Sequence, residues 1–337
     1  MAATEGSPSF HPSFSSQTAD VILRSSDNVD FRVHKLILSE TSSVFECMFS
    51  LPAPQPSFEG LSGDDHRDGL PVVRVAEDSE TLGGLLGICY PGKGPTLADD
   101  VSAIGQILAV ADKYAMVGVY KQLESVLSRR DLVESDPLRT YALACRFGFR
   151  TLAVMSAKAS LTHPFPGPPL PEFVYMSGRD FYDLVSYRQR CFEVIEGVTA
   201  SERADDFRLS HVWATLCGMS RRMAGNYASF SGCQKCDKAW FKLQMESVRK
   251  ALRAKPCGSA ITSPQFLQEM TWLVQQQCPT CSLNSGTLTG QLLEFHWRLA
   301  ALVDAEVAKV CEVLSTSLLL ARHADKGSQV PFETGTQ

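Results

Sequence analysis

Residues 20–49, DVILRSSDNVDFRVHKLILSETSSVFECMF, decide how this chain folds. Two short alternating runs, Asp20 to Arg24 and Val29 to Val33, flank the turn-formers Ser25, Ser26, Asp27 and Asn28, which is the pattern of a β-hairpin. The second run passes with no loop into a stretch of helical period. Val33, Ile37, Val44 and Met48 mark one face of that helix, and Leu36, Phe45 and Phe49 widen it. A polar-tipped hairpin feeding directly into an apolar-faced helix is the opening of an interaction scaffold. It contains no catalytic element.

The same residues resemble the start of a BTB/POZ domain. The resemblance is carried by Asp20-Val21 in the first strand, the F-x-V-H-K run of Phe31 to Lys35 at the strand-to-helix junction, and Ile37-Leu38. It continues through Ser42-x-Val44-Phe45 and Met48-Phe49. Further on, the C-Y-P-G of residues 89–92 and the A-D-K-Y-A-M of residues 111–116 also look like that family. The resemblance runs from about Thr18 to Arg130 and implies an α+β domain, a small sheet flanked by helices. It implies self-association or partner docking, with Asp20, Val21, Val33, His34, Lys35 and Leu36 as the contact residues. Asp20 and Lys35 match the acidic and basic positions that many BTB homodimers bury near their interface. An intramolecular or solvated pair is the other reading of these two. His34 reads as a hydrogen-bonded structural histidine, since no carboxylate or nucleophile is placed to work with it.

A narrower role implied by the family is a cullin-type ubiquitin ligase adaptor. Family adaptors carry a hydrophobic-x-Glu element soon after the first helix. Here the nearby glutamate is Glu59, and position 57 is Ser. General scaffolding is therefore the leading expectation.

Composition agrees with a globular chain: 337 residues, 44% apolar and 20% charged. That length favours two domains, and the composition excludes a disordered or membrane class. No apolar run approaches the roughly 18 residues of a membrane span, and Met1 to Ala19 lacks the basic start and apolar core of a signal peptide. The expectation is an intracellular protein, cytoplasmic or nuclear, with no membrane contact. Eleven cysteines then read as reduced thiols or metal ligands. The net charge of −5 argues against nucleic acid as the main partner.

The chain is expected to divide into a disordered Ser/Pro/Thr-rich start at 1–17, the BTB/POZ-like domain at 18–130, a helical region at 131–324 and a loose tail at 325–337. Leu51 to Gly69 reads as a long loop, and Pro71 to Ala76 as a further strand. Beyond Arg130 no strand pattern convinces. Helices are expected at 179–197, 237–254, 264–276 and 287–321, the last with Leu292, Phe295, Leu299, Leu302 or Val303, Val307, Val310 and Leu314 on one stripe. His163 to Pro171, HPFPGPPLP, holds five prolines in nine residues and reads as a stiff linker or surface crossing.

Outside the first domain, the sharpest motif is Cys233-x-x-Cys236 with Cys278-x-x-Cys281. Two CxxC knuckles match a closed tetrahedral site of four thiolates, which gives one structural zinc with no open position for a substrate. Four ordinary loop cysteines and a redox dithiol at Cys233 and Cys236 are the alternatives. This half is similar to the helical C-terminal regions of fungal BTB proteins, through the first C-x-x-C, Trp240, the K-P-C-G of 255–258 and the second C-x-x-C. Arg221 to Lys255 is basic and interleaved with aromatics, yet Trp240, Phe241, Met245, Val248 and Leu252 form one apolar stripe and read as core. Gly87 to Lys93 matches a phosphate loop only in spacing, because Gly94 stands where a Ser or Thr is needed and a helix precedes it. No catalytic motif appears. The expectation is a non-enzymatic interaction protein, with an adaptor, a transcription or chromatin regulator and a thiol-redox protein as the alternatives.

Overall fold

In a computed structural model of the chain, β2 (Val21–Arg24) is buried at all four of its positions. The reason is its place in the sheet. It pairs antiparallel with β3 (Val29–Val33) on one side and parallel with β5 (Leu70–Arg74) on the other. The outer strands are β1 (Ser9–Ser15), parallel to β3, and β4 (His66–Arg67), antiparallel to β5, in the order β1-β3-β2-β5-β4. The alternation expected for Asp20 to Arg24 is therefore corrected. A central strand covered on both faces has no solvent side to make polar.

The structure describes residues 8–51, 66–90, 92, 100–199, 239–277 and 285–321. The chain divides into two compact units, Met1–Thr140 and Tyr141–Gln337.

In the first unit the hairpin turn closes through Asn28 at φ 62, with Ser25 bonded to Val29 across it. Its tip is tied down, because the Asp27 carboxylate accepts from the backbone N–H and the hydroxyl of Ser79. The β4–β5 hairpin turns on Asp68 and Gly69, both at positive φ, the Asp-Gly chemistry of a two-residue turn. Strand β1 lies inside the segment expected to be disordered. Its Phe14 is buried against Phe31 and edge-on to Tyr90, and its His11 stacks on Phe31.

The helix expected after β3 is two helices, α1 (Lys35–Thr41) and α2 (Ser43–Ser50), divided at Ser42. Ser42 is extended. Its hydroxyl accepts from the Phe45 N–H and donates to the Tyr114 carbonyl. The break resets the helical phase, so the buried residues are Leu38 and Phe45. Three further helices complete the domain: α3 (Ser79–Cys89), capped by Asp78, α4 (Val101–Lys113), capped by Asp100, and α5 (Val117–Leu127). They bury Leu82, Leu85, Leu86, Ile104, Leu108 and Leu123. The short α6 (Arg130–Ser135) follows.

The remaining described elements are helical. α7 (Pro137–Phe147) and α8 (Arg150–Ala159) are divided at Gly148, φ 75. Two 3₁₀ turns, Ser160–Thr162 and Pro171–Tyr175, lead to α9 (Gly178–Thr199). Then come α10 (Ala239–Ala254), α11 (Ser259–Thr262), α12 (Pro264–Gln277) and α13 (Ser285–Ala321). In the second unit α13 packs against α8, α9, α11 and α12. One face of each long helix is buried: Leu184, Tyr187, Cys191 and Ile195 on α9, Met245, Val248 and Leu252 on α10, and Phe295, Leu299, Val303, Val307 and Cys311 on α13. Gly258 sits so close to α13 that a Cβ would stand 2.8 Å from the Ala300 carbonyl oxygen, and its N–H donates to Asp304.

Candidate interaction site

The junction between β3 and α1 is held by side chains from three directions. The first N–H groups of a helix need acceptors, and His34, at the N-cap, offers no side-chain cap of its own. Asp20 supplies one from the start of β2: its Oδ1 accepts from the Lys35 N–H at 2.7 Å. The His34 N–H donates to the Tyr90 hydroxyl oxygen at 2.8 Å, and the His34 ring lies between Tyr90 at 3.3 Å and Thr18 at 3.0 Å. A Tyr90 hydroxyl donating to Nδ1 leaves Nε2–H to donate to Thr18 Oγ1. His34 thus ties the β3–α1 junction to both Tyr90 and Thr18.

Val21 and Val33 face each other in the β2–β3 register and are fully buried. They hold the sheet and present nothing outward, which corrects their placing among the contact residues. The structure joins Asp20 to Lys35 through a backbone amide. The Lys35 ammonium lies 5.7 Å from the centroid of the Phe49 ring, as the outer member of a column in which Phe49 stacks on Phe45 and Phe45 on Tyr114. Tyr114 is itself pushed up to about 12, by burial first and then by its hydrogen bond to Glu77.

Outward from this frame the α1–α2 pair carries apolar side chains that none of the described residues covers. Leu36 is 70% exposed and Leu51 65%, with Val44 and Met48 exposed between them and Cys47 beside them. A stripe of one continuous helix would have turned Val44 and Met48 inward. The break at Ser42 turns them out.

Sequence reading missed the most costly polar group in this unit. Asp30, fully buried on β3, takes both arms of the Arg24 guanidinium, Nε to Oδ1 at 2.6 Å and Nη2 to Oδ2 at 3.0 Å. Arg67 of β4 adds a third hydrogen bond to Oδ2. Burial pushes the Asp30 carboxyl up, and the bonds from Arg24 and then Arg67 outweigh it and hold the group below its ordinary value. Arg67 also lies over the Phe10 ring, 4.0 Å from its centroid, which fastens β1 to this cluster. The available signal was the cross-strand register, which sets Arg24 opposite Asp30.

In the second unit Tyr187 and Cys311 share a hydrogen bond at 2.7 Å, and burial pushes the Cys191 thiol up to about 12. Arg249 and Arg253, from the basic stretch, are engaged by the Thr199 carbonyl and by Glu196. Cys233, Cys236, Cys278 and Cys281 lie outside the described residues, as do the greater part of the basic stretch and residues 91 and 93 of the phosphate-loop spacing. No helix among the described residues is long and apolar enough to cross a membrane.

Residues 10–131 match the BTB/POZ domain family, and the sheet with its flanking helices is that domain's architecture. The first unit therefore contains a protein–protein interaction module of the BTB/POZ class, followed by a helical region. No curated protein matches the chain.

Proposed function

We propose that this protein is a non-enzymatic scaffold that self-associates through the face of α1 and α2. The observation that carries the reading is the set of exposed apolar side chains, Leu36, Val44 and Met48 on the two helices that follow the Asp20–His34–Lys35 junction and Leu51 just past the second. Interface cores are depleted in charge and rich in such side chains. The junction acts as a positioning element, fixing where α1 starts and so where Leu36 points. The helical region then serves as a second surface.

The partner on this face is a second copy of the chain, and a cullin adaptor is the competing role. Sedimentation equilibrium should give a reversible dimer that Leu36→Asp converts to monomer without lowering the melting temperature. A monomer that binds the N-terminal helical part of a cullin by calorimetry would replace scaffolding with the adaptor role. A well-folded monomer that binds no cullin would sink both.

Cys233, Cys236, Cys278 and Cys281 are proposed to hold one structural zinc. The donor set supports this, since four thiolates suit a closed tetrahedral site. Two of them precede α10, and the other two lie between α12 and α13.

A further inference from the structure

The proline-rich crossing at His163–Pro171 is more than a connector. Its near end is pinned by Arg188, a buried residue of α9. Arg188 Nη1 donates to the carbonyl and the hydroxyl of Ser160, at 2.5 and 3.1 Å, and Nη2 donates to the His163 carbonyl at 3.2 Å. The same guanidinium lies 4.7 Å from the centroid of the Phe165 ring, which in turn stacks on Phe181. At the far end Pro171 opens a 3₁₀ turn, and the Phe173 N–H donates to the Leu170 carbonyl. The near end is thus fixed to α9, and beyond the far end the Arg146 guanidinium of α7 lies 3.8 Å from the centroid of the Tyr175 ring in that turn.

Between the anchors stands Pro168-Pro169-Leu170-Pro171. Proline fixes its own φ near −65°, and a residue that precedes proline is driven to extended backbone. Pro168 and Leu170 both precede proline, and Leu170 is at φ −104, ψ 138. A chain of this kind turns with three residues per turn. Pro168 and Pro171 then share one edge, Pro169 lies on the second and Leu170 on the third. Leu170 is half-buried, while Pro168, Pro169 and Pro171 are exposed. One edge is seated on the protein and two are offered to solvent.

We propose that Pro168–Pro171 is a docking segment for a proline-recognition domain, one that receives a P-x-x-P ridge in an aromatic-lined groove. The chemistry of the partner follows from the segment. No Lys, Arg, Asp or Glu occurs from His163 to Pro171, so the groove takes the ridge by apolar and aromatic contact, without an ion pair. Because the ridge is already held extended, docking loses little chain entropy. This site lies in the helical unit and is independent of the self-association of the BTB/POZ domain.

The test is calorimetric titration of the full chain with a panel of purified WW and SH3 domains. The expected result is saturable 1:1 binding by at least one of them, little changed between low and high salt. Pro168→Ala/Pro171→Ala should weaken it by at least about tenfold, and Pro164→Ala, outside the ridge, should leave it intact. If the double variant melts earlier than the parent, Pro169→Ala, which keeps Pro171 at the start of its turn, provides the comparison. Binding by none of the domains, or equal binding by the parent and the ridge variants, would overturn the proposal and leave the segment a spacer only.

Discussion

Asp30 is an ionised group with no access to water, and its neighbours explain why it is tolerated. Arg24, almost as deeply buried, has this carboxylate as its bidentate partner. Asp30→Asn would leave a buried guanidinium facing a neutral amide. Removing one partner of a buried pair costs about 3–5 kcal/mol, and urea denaturation of the variant should show a loss of that order. A loss of less than ~1 kcal/mol would mean that Arg24 finds water in the folded protein. Two charged residues in short strands read as surface, and only the pairing register puts them together. That is why this cluster was not legible. His296 of α13 is a second such case. It is buried, bonded through Nε2 to Gln244, and flanked edge-on by Phe266 and Phe295, with its Nδ1 and Gln244 Oε1 unpartnered. Burial lowers its pKa to about 4 from an ordinary value of 6.5. Because the folded value is the lower one, the unfolded chain takes up the proton first. The stability tied to neutral His296 is complete above the unfolded pKa and is lost as pH falls from there towards about 4. Between pH 7 and pH 5 the loss is about 2 kcal/mol. Chemical denaturation of the protein and of His296→Leu across that range should show a shallower slope for the variant. Identical slopes would mean the ring is already solvated.

At the level of elements, the α1–α2 break has the largest effect on what the molecule can do. In sequence this stretch reads as one amphipathic helix, and for a continuous helix the stripe through Val33, Ile37, Val44 and Met48 is sound. Ser42 defeats it by capping α2 with its own hydroxyl, so that residues after 42 are counted from a new origin. The β2–β3 hairpin and its direct passage into α1 were legible, because turn chemistry and period lie in adjacent residues. Strand β1 was not. Its SFHPSFS carries Ser and Pro that resemble a disordered start, and its partner β3 is parallel and some way along the chain. The long helices of the second unit were legible from their stripes to within a few residues, apart from the polar His296 and the thiol Cys311 buried among the apolar members of α13. The proposed zinc site belongs to this scale, since in sequence two of its cysteines precede α10 and two fall between α12 and α13. Metal analysis should give one zinc per chain, absent from Cys233→Ser/Cys281→Ser, and zinc-finger peptides gain about 10–16 kcal/mol from such binding. Protein freed of metal by a chelator with an unchanged melting profile would exclude the site.

Taken whole, the chain joins an interaction domain of mixed sheet and helix to a second unit that is helical throughout its described residues. That the described elements after β5 are helical could be read, because no strand pattern follows Pro71 to Ala76. The facing of α1 and α2 could not, because the break between them is held by a bond from Ser42 to the Tyr114 carbonyl, far away in sequence. One consequence concerns how this protein can be watched at work. Of the described cysteines, Cys89 is half-buried and Cys145, Cys191, Cys257 and Cys311 are buried, while Cys47 on α2 stands exposed among the apolar residues proposed to meet a partner. The protein thus carries its own footprinting label. Alkylation of Cys47, followed by peptide mass spectrometry, should slow as protein concentration rises and recover in Leu36→Asp. A rate independent of concentration would place the contact elsewhere. A single sulfur atom reports whether the face is occupied, and no foreign dye need be attached to it.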